Sequence, residues 1–211
     1  MQIDIIFDTI CPWCYIGKRR LEQALKDFPT VDVKPTWRPF LLNPEMPESG
    51  ISRETYLVRK FGSEARIRRI NGAISDAGQS VEIDFEFDRI GHTPNSIDSH
   101  RLVRFADRHG KSDAAVEALF YNYFINGKNI GDRAVLLTIG EHLGLDRDAL
   151  AAHLESDADV AVIEDENARA HRLGISGVPS FLINGRHVIS GAQESRVLTR
   201  VLDVALAEVA A

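Results

Sequence analysis

Cysteine is scarce in this chain of 211 residues: there are two, Cys11 and Cys14, and both fall in the stretch Cys11-Pro12-Trp13-Cys14. A disulfide scaffold needs cysteines spread along the chain to close long loops, so a cross-linked framework is excluded. Long apolar runs are missing too. None approaches the ~20 residues of a membrane-spanning helix, and no membrane partner is expected. Positive charge is in deficit: 25 Lys and Arg against 31 Asp and Glu leave a net charge of −6. That balance argues against a nucleic-acid partner. The opening Met1-Gln2-Ile3-Asp4 has no basic n-region and is broken by acids, so no secretory signal is expected and a reducing, cytoplasmic setting is. Phosphate-binding loops, HExxH and dinucleotide fingerprints are also missing.

What is present suits a folded domain. Hydrophobic residues make up 44% and charged residues 27%, enough for a sizeable core. Residues 2–7 read as a buried strand, 14–28 as a helix halted by Pro29, and 31–38 as a second strand. Pro35 inside that strand argues for a sheet edge. The opening is thus β–α–β, its strands parallel through a right-handed crossover. Residues 52–62, 63–78, 96–109, 113–126, 133–143, 147–155 and 158–173 read as helices with Ser, Asn or Asp in front or Gly behind. Between them, 81–87 reads as a short strand or an extended loop. At the end, 179–183 and 186–190 flank Asn184-Gly185, a two-residue hairpin signal. A last helix over 193–209 offers Val197, Leu198, Val201, Leu202, Val204, Leu206 and Val209 as its buried set. The two ends, 1–40 and 175–211, splice into a four-stranded sheet with two helices. Residues 41–174 form an all-helical insertion that caps the cleft.

The cysteine pair carries the chemistry. Positions i and i+3 on a helix lie about 5–6 Å apart at Cβ, slightly wider than the ~3.5–4.5 Å of a disulfide. A small adjustment at the first turn lets the pair cycle between dithiol and disulfide. Cys11 falls at or just before the helix N-terminus, where free N–H groups and the helix dipole favour a thiolate and make it the better attacking sulfur. Cys14, one turn inside, suits the resolving role. Pro12 stiffens the turn, and Trp13 puts an apolar face where a substrate docks. Structural zinc needs four ligands. There is no second cysteine pair, and the seven His at 92, 100, 109, 142, 153, 171 and 187 show no HxxxH or HxxH spacing, so no metal is expected. A second constellation is Gly174-Ile175-Ser176-Gly177-Val178-Pro179-Ser180-Phe181. A cis proline there would hold the chain close to the cysteines and bare the backbone of Val178 to a substrate strand.

Taken together, the first strand, Cys11-Pro12-Trp13-Cys14 opening a helix, the helical insertion, Gly177-Val178-Pro179-Ser180-Phe181 and Asn184-Gly185 resemble the DsbA-like branch of the thioredoxin superfamily. Cys11-Pro12-Trp13-Cys14-Tyr15-Ile16-Gly17, Pro94-Asn95-Ser96, His100-Arg101-Leu102 and Tyr123-Phe124 resemble its FrnE-like subgroup. The resemblance spans essentially the whole chain. It implies a thioredoxin-like α/β fold interrupted by the helical insertion, thiol–disulfide exchange through Cys11 and Cys14, and Pro179 in cis. It implies no bound cofactor, with glutathione or another thiol as redox partner, and protein or small-molecule disulfides as substrates. Relatives are often dimers, so a homodimer is an expectation of the resemblance. They also include 2-hydroxychromene-2-carboxylate isomerases and kappa-class glutathione transferases. A glutathione-dependent isomerase or transferase acting on a small aromatic or electrophilic compound is therefore the alternative reading. Many thioredoxin-fold proteins carry a buried acid six residues before the first cysteine. Ile5 stands there in this chain, with Asp4 and Asp8 as the nearby acids.

Other residues carry weaker signals. Asn95 reads as a helix cap or as a polar substrate contact reaching the cleft from the insertion. Trp37 and Phe40 read as core. Arg66, Arg68 and Arg69 read as a solvated helix face, and Tyr121, Tyr123 and Phe124 as insertion core.

Overall fold

A computed structural model describes residues 1–210. Strand β1 (Gln2–Phe7) runs into helix α1 (Pro12–Leu25) and returns through β2 (Lys34–Pro39). β1 and β2 are parallel, with Ile3 opposite Pro35 and Phe7 opposite Pro39. Helix α1 ends at Leu25 rather than 28 because Pro29 disfavours helical backbone at the residue before it. Strands β5 (Ser180–Ile183) and β6 (His187–Ser190) form the hairpin, turning at Asn184 (φ 50°) and Gly185 (φ 68°). β5 pairs antiparallel with β1, so the sheet order is β2-β1-β5-β6. The proline-bearing β2 is an edge strand, where a missing ladder N–H costs nothing.

Between β2 and β5 lie the two-residue strand β3 (Ile51–Ser52), helices α2 (Arg53–Phe61) and α3 (Glu64–Gln79), and the strand β4 (His92–Thr93). Helices α4 (Ile97–Asp107), α5 (Ser112–Phe124), α6 (Arg133–His142), α7 (Arg147–Glu155) and α8 (Val160–Arg172) follow. The expected all-helical insertion therefore contains one small ribbon, β3 with β4. Local chemistry explains it. Gly50 turns the chain at φ 67°, and Pro94 forces Thr93 towards extended backbone. Residues 81–82 turn at Glu82 (φ 61°) and 83–86 are a loop, with the Glu86 N–H donating to the Phe124 carbonyl at 2.9 Å, followed by a 3₁₀ turn at Phe87–Arg89.

Helix α9 (Ser195–Ala210) packs on α1. Leu198, Leu202 and Ala205 form its buried stripe at i, i+4 and i+7, whereas Val204 points away and is 52% exposed. The Val209 side chain lies outside the described residues. The helical block is anchored where β1 ends. The Phe7 ring meets Trp37 edge-on at 4.8 Å, His100 at 4.9 Å and Phe120 at 6.3 Å. Fully buried rings of this kind contribute about 1.5–3 kcal/mol each. They place α4 and α5 against the C-terminal end of β1, beside the cysteines. No helix among the described residues is long and apolar enough to cross a membrane.

Candidate active site

The turn from β1 to α1 sets the sulfurs. Cys11 occupies the N-cap with extended backbone (φ −94°, ψ 112°), and Pro12 takes the first helical turn, where its missing N–H is harmless. The Cys11 N–H donates to the Asp8 carbonyl at 3.1 Å, and the Cys14 N–H donates to the Cys11 carbonyl at 3.0 Å. Both sulfurs are free thiols. Both residues are buried, Cys11 at 4% and Cys14 at 1% exposure, and Trp13 between them is 36% exposed. Burial raises the Cys14 thiol pKa well above the ordinary range. The neighbouring Cys11 adds to the rise, and the Asp8 charge adds more. The backbone N–H of Asp8, hydrogen-bonded to the sulfur, opposes it. The Cys14 thiol is therefore protonated at neutral pH.

The second constellation meets the first. The Val178–Pro179 peptide is cis. The Cys11 thiol donates to the Val178 carbonyl at 3.6 Å. Two features seat this loop. Ser180 starts β5 opposite Ile6 on β1, and its hydroxyl donates to the Gly177 carbonyl at 2.9 Å. On the helix side, Gly17 leaves room for the proline. A Cβ at position 17 would lie 2.8 Å from Pro179 Cγ and 3.2 Å from Phe181 Cζ. Gly17 is one turn beyond Cys14 on the same face, so the loop rests on the helix that carries the thiols. This role was unassigned in the sequence. The available signal was a glycine inside a helix, which costs about 1 kcal/mol relative to alanine and so points to close packing.

A buried polar cluster joins the β1–α1 turn to α4. Asp8 is fully buried. One carboxylate oxygen accepts from the Leu42 N–H at 2.8 Å and the other from the Ile10 N–H at 3.3 Å. The latter lies 3.6 Å from His100 Nε2. His100 is 1% exposed, and its Nε2 has no hydrogen-bond partner among the described residues. Alongside, the Ser99 hydroxyl donates to the Ser96 carbonyl at 2.8 Å, so Thr9 is the donor in its 2.7 Å contact with Ser99. Asp4 is elsewhere: it accepts from Arg38 Nε at 3.0 Å. Of the two acids flanking the expected position, Asp8 is the one whose charge acts on Cys14.

Not every singled-out residue joins this group. Asn95 accepts from the Ile97 N–H at 2.9 Å and donates to the Met46 carbonyl at 2.8 Å. Both ends of its amide are engaged in holding the start of α4 to the 43–48 loop. It borders a separate cavity of about 260 Å³ with Glu48, Asp98, Arg101 and Arg133. Trp37 and Phe40 are buried, as are Tyr123 and Phe124, whereas Tyr121 is 49% exposed and is not core. It points outward because the buried face of α5 runs through 116, 119, 120, 123 and 124. Arg66, Arg68 and Arg69 are exposed.

The far face of α1 is charged. Tyr15 stacks on Phe120 at 5.1 Å and donates to Glu117 at 2.9 Å. Arg19 lies over the Tyr15 ring and also pairs with Glu117. Burial alone would lower the Lys18 pKa. Its hydrogen bond to Glu22 and the charges of Asp113, Glu22 and Glu117 raise it on balance. This cluster clamps α5 to α1 without reaching the sulfurs.

Set against known proteins, the geometry has clear counterparts. The chain is 29% identical to a probable DsbA oxidoreductase from Streptomyces coelicolor, with a TM-score of 0.91 over 99% of this chain and 91% of that one. A 2-hydroxychromene-2-carboxylate isomerase shares the fold at 18% identity and a TM-score of 0.74, over 100% of this chain and 96% of that one. So does the cytosolic disulfide reductase DsbM from Pseudomonas aeruginosa with GSH, at 21% identity and a TM-score of 0.67, over 98% and 96%. Residues 2–203 match the family model of the DSBA-like thioredoxin domain, and with Cys11 facing the Val178 carbonyl the chain belongs to that family.

Proposed function

We propose that this protein is a thiol–disulfide oxidoreductase acting on protein or small-molecule disulfides. One observation carries the reading. Two free thiols sit one helical turn apart at the start of α1, and the first faces the Val178 carbonyl at 3.6 Å. Cys11, at the helix N-terminus, attacks a substrate disulfide and holds half of it as a mixed disulfide. Cys14 then attacks Cys11 Sγ, forms the internal disulfide and releases the second thiol. An extended substrate lies along the bared backbone of Val178, as a strand added to an edge. Trp13 supplies the apolar rim. Glutathione or another thiol returns the pair to the dithiol, and no bound cofactor takes part. Two cysteines this close in sequence suit a reducing compartment, where they serve exchange and not cross-linking.

The alternative reading, a glutathione-dependent isomerase or transferase, needs a single activating group at position 11. A buried sulfur at position 14 has no task in it.

Reduced protein, Cys11→Ser and Cys14→Ser are each mixed with oxidised glutathione and with a disulfide-bonded peptide, and the products weighed by mass spectrometry. Wild type is expected to finish as the internal disulfide. Cys14→Ser is expected to stop as a Cys11 adduct with turnover at background, and Cys11→Ser to form no adduct. Full turnover by either variant would overturn the exchange reading. Full turnover by Cys14→Ser alone would favour the single-sulfur alternative.

A further inference from the structure

A disulfide alone does not define a substrate; the groups that flank the cleft must recognise the rest of it. One flank is tied to the Cys11 turn. The Cys11 N–H donates to the Asp8 carbonyl, and the Asp8 carboxylate accepts from the Leu42 N–H at 2.8 Å. Leu42 also packs with Val178 against one small cluster, Ile6, Phe40, Ala170 and Ile175. From Leu42 a groove of about 380 Å³ runs between the 42–47 loop and α2. Met46 and Tyr56 line it, together with Arg59, Lys60 and Glu45. Tyr56 is 9% exposed. Its hydroxyl accepts from Lys60 Nζ at 2.7 Å and from the Asn43 amide at 3.4 Å, so its own proton finds no acceptor among the described residues. The Lys60 ammonium is folded back over the Tyr56 ring, 5.1 Å from its centroid. Among the described residues neither Arg59 nor Lys60 has an ion-pair partner, and Glu45 is exposed and pairs with neither. Other hollows differ. Beside Asn95, Arg101 is satisfied by Asp98 and by the carbonyls of Leu154 and Ala158. Between α2 and α3, Arg68 is paired with Glu64.

We propose that this groove is a subsite for the disulfide substrate, and that it takes a peptide segment carrying an apolar and an acidic side chain close to its reactive cysteine. The proposal rests on the exchange reading above and adds the substrate class. With the segment extended along Val178, its apolar side chain enters beside Leu42 and Met46 and leaves water. Its carboxylate meets Lys60, Arg59 and the unspent Tyr56 proton, three donors for one anion. The chain's net charge of −6 by itself repels an acidic peptide. Selection for such a peptide therefore comes from local donors, which makes it separable from the long-range field.

The test uses three disulfide-linked peptides: one with Leu and Glu flanking the cysteine, one with Lys in place of the Glu, and one with Ser in place of the Leu. Reduced protein is mixed with each, quenched and alkylated, and the rate of internal-disulfide formation is read by mass spectrometry. Each rate is divided by that of dithiothreitol with the same peptide, which removes the peptides' own reactivity. Wild type is expected to prefer the Leu–Glu peptide about tenfold over its Lys counterpart and about threefold over its Ser counterpart. Arg59→Glu together with Lys60→Glu is expected to abolish the preference for acid. Arg66→Glu together with Arg69→Glu changes the net charge equally, at exposed positions of α3 outside the groove, and is expected to keep it. The proposal fails if the groove variant keeps the preference, or if the α3 variant loses as much of it. Should the groove variant not fold, wild type decides: equal rates for the Glu and Lys peptides, or a faster Lys peptide as the net charge alone dictates, overturn the proposal. Equal rates for the Leu and Ser peptides overturn its apolar half. No internal disulfide with any peptide would instead overturn the exchange reading.

Discussion

The two ends of β1 carry the same residue type in opposite settings. Near its start, Asp4 pairs with Arg38 at 3.0 Å and accepts from the Gln2 side-chain amide at 3.3 Å. Just past its end, Asp8 is fully buried and faces backbone amides and an imidazole. An arginine neutralises Asp4 and makes it a clasp between β1 and β2. Asp8 has no such cation. Its charge is held by fixed N–H dipoles instead. Position alone decides the difference: Asp4 faces the partly open edge strand, while Asp8 is covered by α4 and by the loop after β2.

The sharpest way to break this contrast is to disturb the Asp8 end without touching a sulfur. Gly17→Ala would ordinarily stabilise a helix by about 1 kcal/mol. Here the added methyl meets Pro179 Cγ at 2.8 Å. The expected result is a loss of about 2 kcal/mol in urea unfolding, together with slower reaction of Cys11. A gain in stability would show that the Val178–Pro179 loop does not lean on α1.

Next in size is a dependence on pH. Burial holds the Cys14 proton in the folded chain at pH values where the unfolded chain sheds it. That stabilisation is complete below about pH 8.5, the ordinary thiol pKa. It is lost as pH rises from there through the folded value, at up to about 1.4 kcal/mol per pH unit. Reduced wild type should therefore lose more stability between pH 8 and pH 10 than Cys14→Ser, as about 1.4 kcal/mol per pH unit implies. Tyr15, raised by burial and then by Glu117, contributes equally to both proteins and cancels. Parallel stability curves would place Cys14 in a wetter setting than its burial indicates.

The smallest effect belongs to the other end of the strand. The Arg38 side chain is 31% exposed and that of Asp4 11%, so solvent screens their pair. Asp4→Asn should cost about 1 kcal/mol or less and leave the rate at which oxidised glutathione drives the pair to its internal disulfide unchanged. A slowed oxidation would erase the distinction between the two acids.

Much of the fold was legible because its signals are local. Pro35 marked the edge strand, Asn184-Gly185 the hairpin, and Cys11-Pro12 the helix start; each depends only on the backbone of a few neighbouring residues. The misreadings arose where neighbours far along the chain decide the outcome. Val204 and Tyr121 are apolar or aromatic, but their helices turn them outward. The β3–β4 ribbon joins segments about forty residues apart, each too short to show strand periodicity. Asn95 precedes the N-cap Ser96 and is held by the Ile97 N–H and the Met46 carbonyl.

The sequence by itself determined the reactive pair, its place at a helix start and the strands around it, since those follow from residue spacing and backbone preference. Tertiary structure decided what surrounds the acid beside the pair. His100 meets Asp8, and Ser99 meets Thr9 across 90 residues, only because Phe7 packs α4 against the end of β1. A buried carboxylate takes its character from what the fold brings to it, and no property of the chain near Asp8 specifies that neighbour.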